Sequence, residues 1–225
     1  MGERTTTAQS LLSSQACADY FAGRWDRALE TIDGFLGVLP EGAMHYLETE
    51  MRTVRALIEL ARDRVAHAHT DVERSVVVSQ RSGDPQTVAP SLCTRAALLV
   101  AEGHSSAAVS DFEELIAIGG RLVNGLGGQL PDFAWLSLDL GRSRDAAVAL
   151  DGSPSTRWTD AARAILTGDA AGAADRLAEI GHRPAVAYAC LRAGGGNVHR
   201  ALAFFRSVGA IRYIREAEAL LAASA

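Results

Sequence analysis

The chain has 225 residues, of which 48% are hydrophobic but only 6% aromatic, and its formal net charge is −5 at pH 7. With 41 alanines and 25 leucines, the composition is typical of closely packed α-helices and not of strands. All 22 basic residues are arginine, which excludes mechanisms that need a lysine amine, such as the P-loop and Schiff-base cofactors. The negative charge also opposes binding to nucleic acid or anionic membranes.

The sequence predicts a cytoplasmic protein without a membrane partner. Cys17, Cys93 and Cys190 are odd in number and lie among apolar residues, which favours free buried thiols over disulfides. Residues 1–20 have no uninterrupted apolar core of the kind found in signal peptides. No stretch of eighteen uncharged apolar residues is present to span a bilayer.

A short pattern recurs six times along the chain: a turn residue, an alanine five positions later and an apolar residue four positions after that. The copies begin at Gly23, Asp63, Gly103, Gly141, Gly168 and Gly196. The alanines are Ala28, Ala68, Ala108, Ala146, Ala173 and Ala201. A glycine can take positive φ and end one helix, and a small alanine lets the next helix cross it closely. The pattern therefore predicts an all-α chain of about six αα-hairpins, with a closing helix near residues 210–223.

Prolines and glycines mark the boundaries between the predicted units. The prolines between units are Pro40, Pro85, Pro131, Pro154 and Pro184, at positions where a proline can begin a helix. The glycine-rich stretch 119–130 separates the longer repeats from the shorter ones, and we interpret it as a bend within a single domain covering 1–225. It is not preceded by the strand that a dinucleotide-binding fingerprint requires.

The pattern resembles the tetratricopeptide repeat over residues 8–208. The first unit matches that family's turn, packing and closing-proline positions with Gly23, Trp25, Ala28, Ile32, Phe35 and Pro40. The resemblance implies an αα-hairpin solenoid, wound as a right-handed superhelix of degenerate repeats. The spacing of the first units exceeds the family's usual period of about 34 residues, and that of the last two is shorter.

The tail, residues 200–225, resembles the end of the helical-repeat region in large bacterial signalling proteins. In those proteins a cyclase or a DNA-binding module is joined to a nucleotide-binding ATPase. The resemblance implies a non-catalytic protein-interaction or regulatory module that works with an ATPase, cyclase or transcriptional regulator. A small-ligand sensor domain is the alternative. Because the first repeat begins near Met1, an uncapped apolar end is also expected to drive self-association through the N-terminal helices.

The candidate catalytic and metal-binding residues all have simpler interpretations. Ser105 and Ser143 follow glycines, as in a hydrolase nucleophile elbow, but no strand precedes them and a serine at a helix start caps backbone N–H groups. The cluster His67, His69, Asp71 and Glu73 divides between two faces of a helix, which favours a solvated face over a metal site. For His45 and Glu48 a hydrogen bond is the default expectation. We therefore predict no catalytic residue, metal or cofactor, and an unrecognised hydrolase ranks last.

Binding of a partner through a complementary surface is the remaining candidate function. In a tetratricopeptide superhelix, the first helix of each pair lines a concave groove that would hold a helix or an apolar strip of a partner protein. Counting back from the turns places eight residues in this groove: Ser13, Tyr20, Glu50, Thr53, Thr94, Asp132, Trp135 and Trp158. The two tryptophans are either groove anchors or core residues.

Overall fold

The chain folds into neighbouring pairs of α-helices. A computed structural model describes residues 2–40 and 44–224, with side chains from residue 8 onward. Every regular element in these two ranges is helical, which confirms the predicted all-α class. The helices are α1 (Gly2–Phe21), α2 (Trp25–Gly37), α3 (Tyr46–Ala61), α4 (Val65–Ser82), α5 (Pro85–Ala101), α6 (Ser105–Ala117), α7 (Leu122–Leu126), α8 (Leu130–Asp139), α9 (Ser143–Ala149), α10 (Arg157–Leu166), α11 (Ala170–Ile180), α12 (Arg183–Ala193), α13 (Asn197–Val208) and α14 (Ile211–Ala223).

The predicted turns lie between paired helices. Positive φ values of 64–82° occur at Gly23, Asp63, Gly103, Gly141 and Gly168. The backbone N–H after each of these residues donates to the carbonyl five positions earlier, as Arg24 does to Asp19 at 2.8 Å. This hydrogen bond closes the end of a helix and redirects the chain. At the sixth turn, Gly194 and Gly195 take positive φ, and Gly196 is the N-cap residue of α13.

The repeated alanines occupy the contact between paired helices. All six alanines of the pattern are at most 1% exposed. The apolar residues four positions after them are at most 2% exposed: Ile32, Val72, Phe112, Leu150, Leu177 and Phe205. A larger side chain at an alanine position would push the two helices apart. The prediction of αα-hairpins is confirmed at this level.

A buried ion-pair network joins α3 to α4. The Glu48 and Asp71 carboxylates are almost fully buried. Arg52 donates to both of them, at 2.9 and 2.8 Å, and Arg74 and Arg55 each add a further contact. Burial acts to raise the pKa of Glu48, but the hydrogen bonds from Arg74 and Arg52 outweigh it and leave that pKa below its ordinary value.

The last helices contact the turns of the first three pairs. Three arginine side chains donate to backbone carbonyls across this junction: Arg62 to Val208 at 3.2 Å, Arg183 to Ala22 at 3.1 Å, and Arg212 to Ala101 at 3.0 Å. The ring of Phe204 also meets Trp25 edge-on, with centroids 6.1 Å apart. One buried cluster runs from Ala16 to Ala217. The last helices therefore pack against the first helix pairs.

The glycine-rich stretch between α6 and α8 is helical and packed. Two 3₁₀ turns, Gly119–Arg121 and Gly127–Gln129, flank α7. Leu122, Leu126 and Leu130 are buried in the main core. Whether the helix pairs change direction here, and whether 1–225 forms one domain, stay predictions.

Two prolines lie at different positions in α5. Pro85 begins α5, as predicted, whereas Pro90 lies inside this helix. Because proline has no N–H, the carbonyl of Gln86 lacks its usual helical donor.

The cysteines are free, and Cys93 and Cys190 are buried. None of the described helices is long and apolar enough to cross a bilayer.

Substitution of the turn glycines tests their structural role. A Cβ at Gly103 meets no atom within 4 Å, so Gly103→Ala adds backbone strain alone. We expect it to lower the free energy of unfolding by about 1–2 kcal/mol in urea denaturation. At Gly23 the Cβ would lie 2.8 Å from Cε2 of Phe204. Gly23→Ala should therefore cost about 1–3 kcal/mol more than Gly103→Ala.

Gly34→Ala is the matched control. Gly34 lies within α2, and a Cβ there also meets no atom within 4 Å. Alanine should stabilise this helix by about 0.5–1 kcal/mol. A Gly103→Ala protein as stable as the wild type would show that the turn does not require a left-handed residue.

Candidate functional site

Two adjoining cavities lie among the helix pairs. Cavity A, about 170 Å³, is lined by residues of α1, α2, α3, α5, α8 and α12–α14. Cavity B, about 350 Å³, is lined by residues of α1, α3, α5, α7 and α8. Tyr20, Leu57, Asp132 and His182 line both cavities, so the two share a wall. The first helices of several pairs thus face an interior space.

Five residues of the predicted groove line the cavities. They are Tyr20, Glu50, Thr53, Asp132 and Trp135. Trp135 is both a core residue and a cavity residue, because its ring is buried yet forms part of the wall of cavity A.

The other three predicted residues lie outside the cavity walls. Ser13 is buried and donates to Glu50, which also accepts from the Cys17 thiol at 3.4 Å. The hydroxyl of Thr94 accepts from the Gln129 side chain at 3.2 Å, and that side chain lies between Thr94 and cavity B. Trp158 packs against Phe21 and His182. Those two residues, and not Trp158, form part of the wall of cavity B.

Asp132 has the most unusual electrostatic environment in the site. It lies in the first turn of α8, and none of the described side chains donates a hydrogen bond to it. Burial raises the pKa of Asp132 to about 7. Burial, followed by the charge of Asp132, raises the pKa of both Tyr20 and Cys93. The hydroxyl and the thiol around this carboxyl therefore remain protonated at pH 7.

His182 contributes a neutral imidazole. Its Nδ1 accepts a hydrogen bond from the backbone N–H of Ala185 at 3.2 Å, at the start of α12. Burial lowers the pKa of His182 to about 4, so at pH 7 the ring is neutral and carries its proton on Nε2. The ring stacks on Phe21 with centroids 4.2 Å apart and meets Tyr20 edge-on.

Unpaired polar atoms are concentrated at the cavities. Among the described residues, four buried side-chain atoms have no hydrogen-bond partner: Trp25 Nε1, Trp135 Nε1, Thr49 Oγ1 and Gln129 Oε1. The two tryptophans line cavity A, and the other two residues line cavity B. Leaving a buried polar group unpaired costs about 1–3 kcal/mol, and native proteins pair nearly all of them. The unpaired atoms are themselves inaccessible to solvent, so other atoms of these four residues form the cavity walls.

The other candidate residues have ordinary structural contacts. His69 Nε2 lies 2.8 Å from Glu102, whereas His67 lies 3.8 Å from Glu59, so the two histidines have different partners. In the described ranges no three potential metal ligands converge. No hydrogen bond joins Ser105 or Ser143 to a histidine in the described part of the chain.

The expected hydrogen bond between the His45 and Glu48 side chains is wrong, because these residues are joined through the backbone, where the Glu48 N–H donates to the His45 carbonyl at 2.9 Å. His45 instead caps α3, with Nδ1 accepting from the backbone N–H of Leu47 at 3.1 Å, and its Nε2 lies 3.1 Å from Gln9. The Glu48 carboxylate forms ion pairs with Arg52 and Arg74, which are stronger hydrogen-bond donors than a neutral imidazole.

Several cavity residues are missed by sequence reasoning. Gly181 and Pro184 signal a helix start, and His182 sits between them, but nothing in that signal places it beside Tyr20. Trp25 is recognised only as a packing residue of the first repeat. Thr49, Gln129 and Tyr213 carry no distinguishing sequence pattern.

Comparison of the chain with protein-family models, with curated proteins and with solved structures gives no match. The resemblances of the repeat pattern and of residues 200–225 therefore stay predictions.

The pKa of Asp132 predicts a pH-dependent stability. A folded pKa near 7, against 3.8 for an ordinary aspartate, means that the native state binds the proton more tightly than the unfolded chain. The stability that Asp132 contributes is then greatest below pH 4 and is lost as the pH rises through 7. Asp132→Asn should match the wild type near pH 4 and exceed it at pH 8 by up to about 4 kcal/mol in urea denaturation.

Asp151→Asn provides the control for this comparison, because Asp151 is exposed in a turn. Its difference from the wild type should stay small across the same pH range. An Asp132→Asn protein whose advantage does not grow with pH would contradict a raised pKa.

Proposed function

We propose that this chain is a non-catalytic helical-repeat module that binds a small molecule in cavities A and B. The observation that carries the proposal is the wall shared by the two cavities, where the Asp132 carboxyl receives no hydrogen bond from the described side chains. A ligand with a donor of its own would pair this carboxyl. The combined volume suits a small-molecule site, since such sites measure about 300–1,000 Å³.

Binding is favoured over nucleophilic catalysis by the protonation states at the cavities. Burial raises the pKa of the Cys17 and Cys93 thiols, which keeps them as poor nucleophiles. The Nδ1 of His182 is held by the backbone of α12. The polar groups here can orient a ligand without reacting with it.

The wider setting that we propose is regulatory. The helix pairs would form a tetratricopeptide-like right-handed solenoid, curled tightly enough to turn its groove into an interior site. The recurring turn hydrogen bond and the buried alanines support this arrangement. The resemblance of residues 200–225 supports a cytoplasmic sensor that works with a bacterial ATPase, cyclase or transcriptional regulator.

Filling cavity A tests the binding proposal. Ala97 lines this cavity on α5, so Ala97→Phe would occupy its volume. A metabolite library is screened by thermal denaturation against both proteins. A ligand at one hundred times its Kd should raise the wild-type Tm by about 5–10 °C, and Ala97→Phe should abolish that shift.

Ala107→Phe is the matched control. Ala107 lies on α6, is exposed and lines neither cavity, so this variant should respond to ligand as the wild type does. The proposal fails if no compound stabilises the wild type. It also fails if Ala97→Phe, with an unchanged helical circular dichroism spectrum, still responds.

Protein interaction is the second candidate function, and an exposed apolar pair on α1 favours it. Leu11 and Leu12 are 67% and 43% exposed, and Met44 and Tyr46 near the start of α3 are exposed as well. The contact of Gln9 with His45 brings these two regions together. Such a surface suits a partner protein or a second copy of the chain.

Charge substitution on α1 tests self-association. We expect the wild type to sediment as a dimer or larger species and Leu11→Glu to shift it toward monomer, because a carboxylate resists burial in an apolar contact. Val148→Glu on α9 is the control, since Val148 is equally exposed. A monomeric wild type in sedimentation velocity would contradict this expectation.

A further inference from the structure

We propose that the ligand of cavities A and B is an organic ammonium ion, held between the Asp132 carboxylate and the aromatic rings of cavity A. This inference rests on the proposed function and names the chemical class that the site would select. Two independent features of the cavity walls support it: their charge and their rings.

The charge of the walls favours a cation. Four acidic residues line the two cavities, Glu50, Asp132, Asp139 and Glu216, against the single arginine Arg212. Arg212 donates to the carbonyl of Ala101, and Asp139 is paired with Arg192 at 2.9 Å. Asp132 has no such partner. A bound cation would compensate its carboxylate, whereas an anion would meet uncompensated repulsion.

The rings of cavity A form a continuous aromatic wall. Trp135 meets Tyr188 with centroids 5.6 Å apart, and Tyr188 meets Tyr213 at 5.3 Å. Tyr20 stacks on Trp25 at 6.1 Å. The faces of such rings attract cations, and walls of this kind bind ammonium groups in other proteins.

Three of these rings already hold cations. The guanidinium of Arg192 lies 4.8 Å from the ring centroid of Trp135 and 5.7 Å from that of Tyr188, and the guanidinium of Arg62 lies 6.0 Å from Trp25. Neither arginine lines cavity A. These contacts show that the rings are electronically and sterically able to bind a positive group.

Isothermal titration calorimetry with charged and neutral isosteres tests this assignment. The probes are choline against 3,3-dimethylbutan-1-ol, and ethanolamine against ethylene glycol. At least one amine should bind about ten-fold or more tightly than its neutral isostere. Asp132→Asn should remove that ratio, and Asp151→Asn should preserve it.

Asp132→Asn is expected to fold well, because it removes a carboxyl that receives no hydrogen bond from the described side chains. A ratio that survives in folded Asp132→Asn would overturn the role of this carboxyl.

The remaining outcomes distinguish this inference from the proposed function. Equal or tighter binding of the neutral isosteres would overturn the ammonium assignment and leave a small-molecule site. The same holds if neither amine binds while another library compound stabilises the wild type but not Ala97→Phe. If no compound of either kind binds, the cavities hold only solvent and both proposals fail.

Discussion

The structure depends on how closely the two helices of each pair can approach. A left-handed turn reverses the chain within a few residues, and an alanine five positions later leaves room for the next helix. Repetition of this geometry lets the pairs stack and curl. Small alanine side chains occupy the repeated contact between paired helices. Many of the chain's few aromatic residues lie around the cavities.

Contacts between the last helices and the first turns shape the candidate site. The arginine contacts from Arg62, Arg183 and Arg212 to distant carbonyls hold the last helices against the first turns. This arrangement places Asp132 and His182 in a wall shared by the two cavities, where desolvation shifts their pKa values in opposite directions. We propose that a ligand pairs the polar groups of this wall.

Much of the fold could be predicted because its determinants are local. The turn residues and alanines recur in the sequence, and each acts on helices adjacent along the chain. The cavity wall depends instead on contacts between distant residues. Tyr20 and Asp132 could be placed by counting from the turns, but the position of His182 follows from closure of the chain. Thr94 and Trp158 share the register of the groove and are nevertheless covered by Gln129, Phe21 and His182.

The central claim is that the ligand lies against the aromatic rings of cavity A. The chain has three tryptophans, so a ¹H–¹⁵N correlation spectrum shows three indole signals, which single Trp→Phe variants assign. On titration with choline, the Nε1–H signals of Trp25 and Trp135 should shift, because both residues line cavity A. The signal of Trp158, outside the cavity walls, should move least. Saturable binding that leaves Trp25 and Trp135 unshifted would contradict this account.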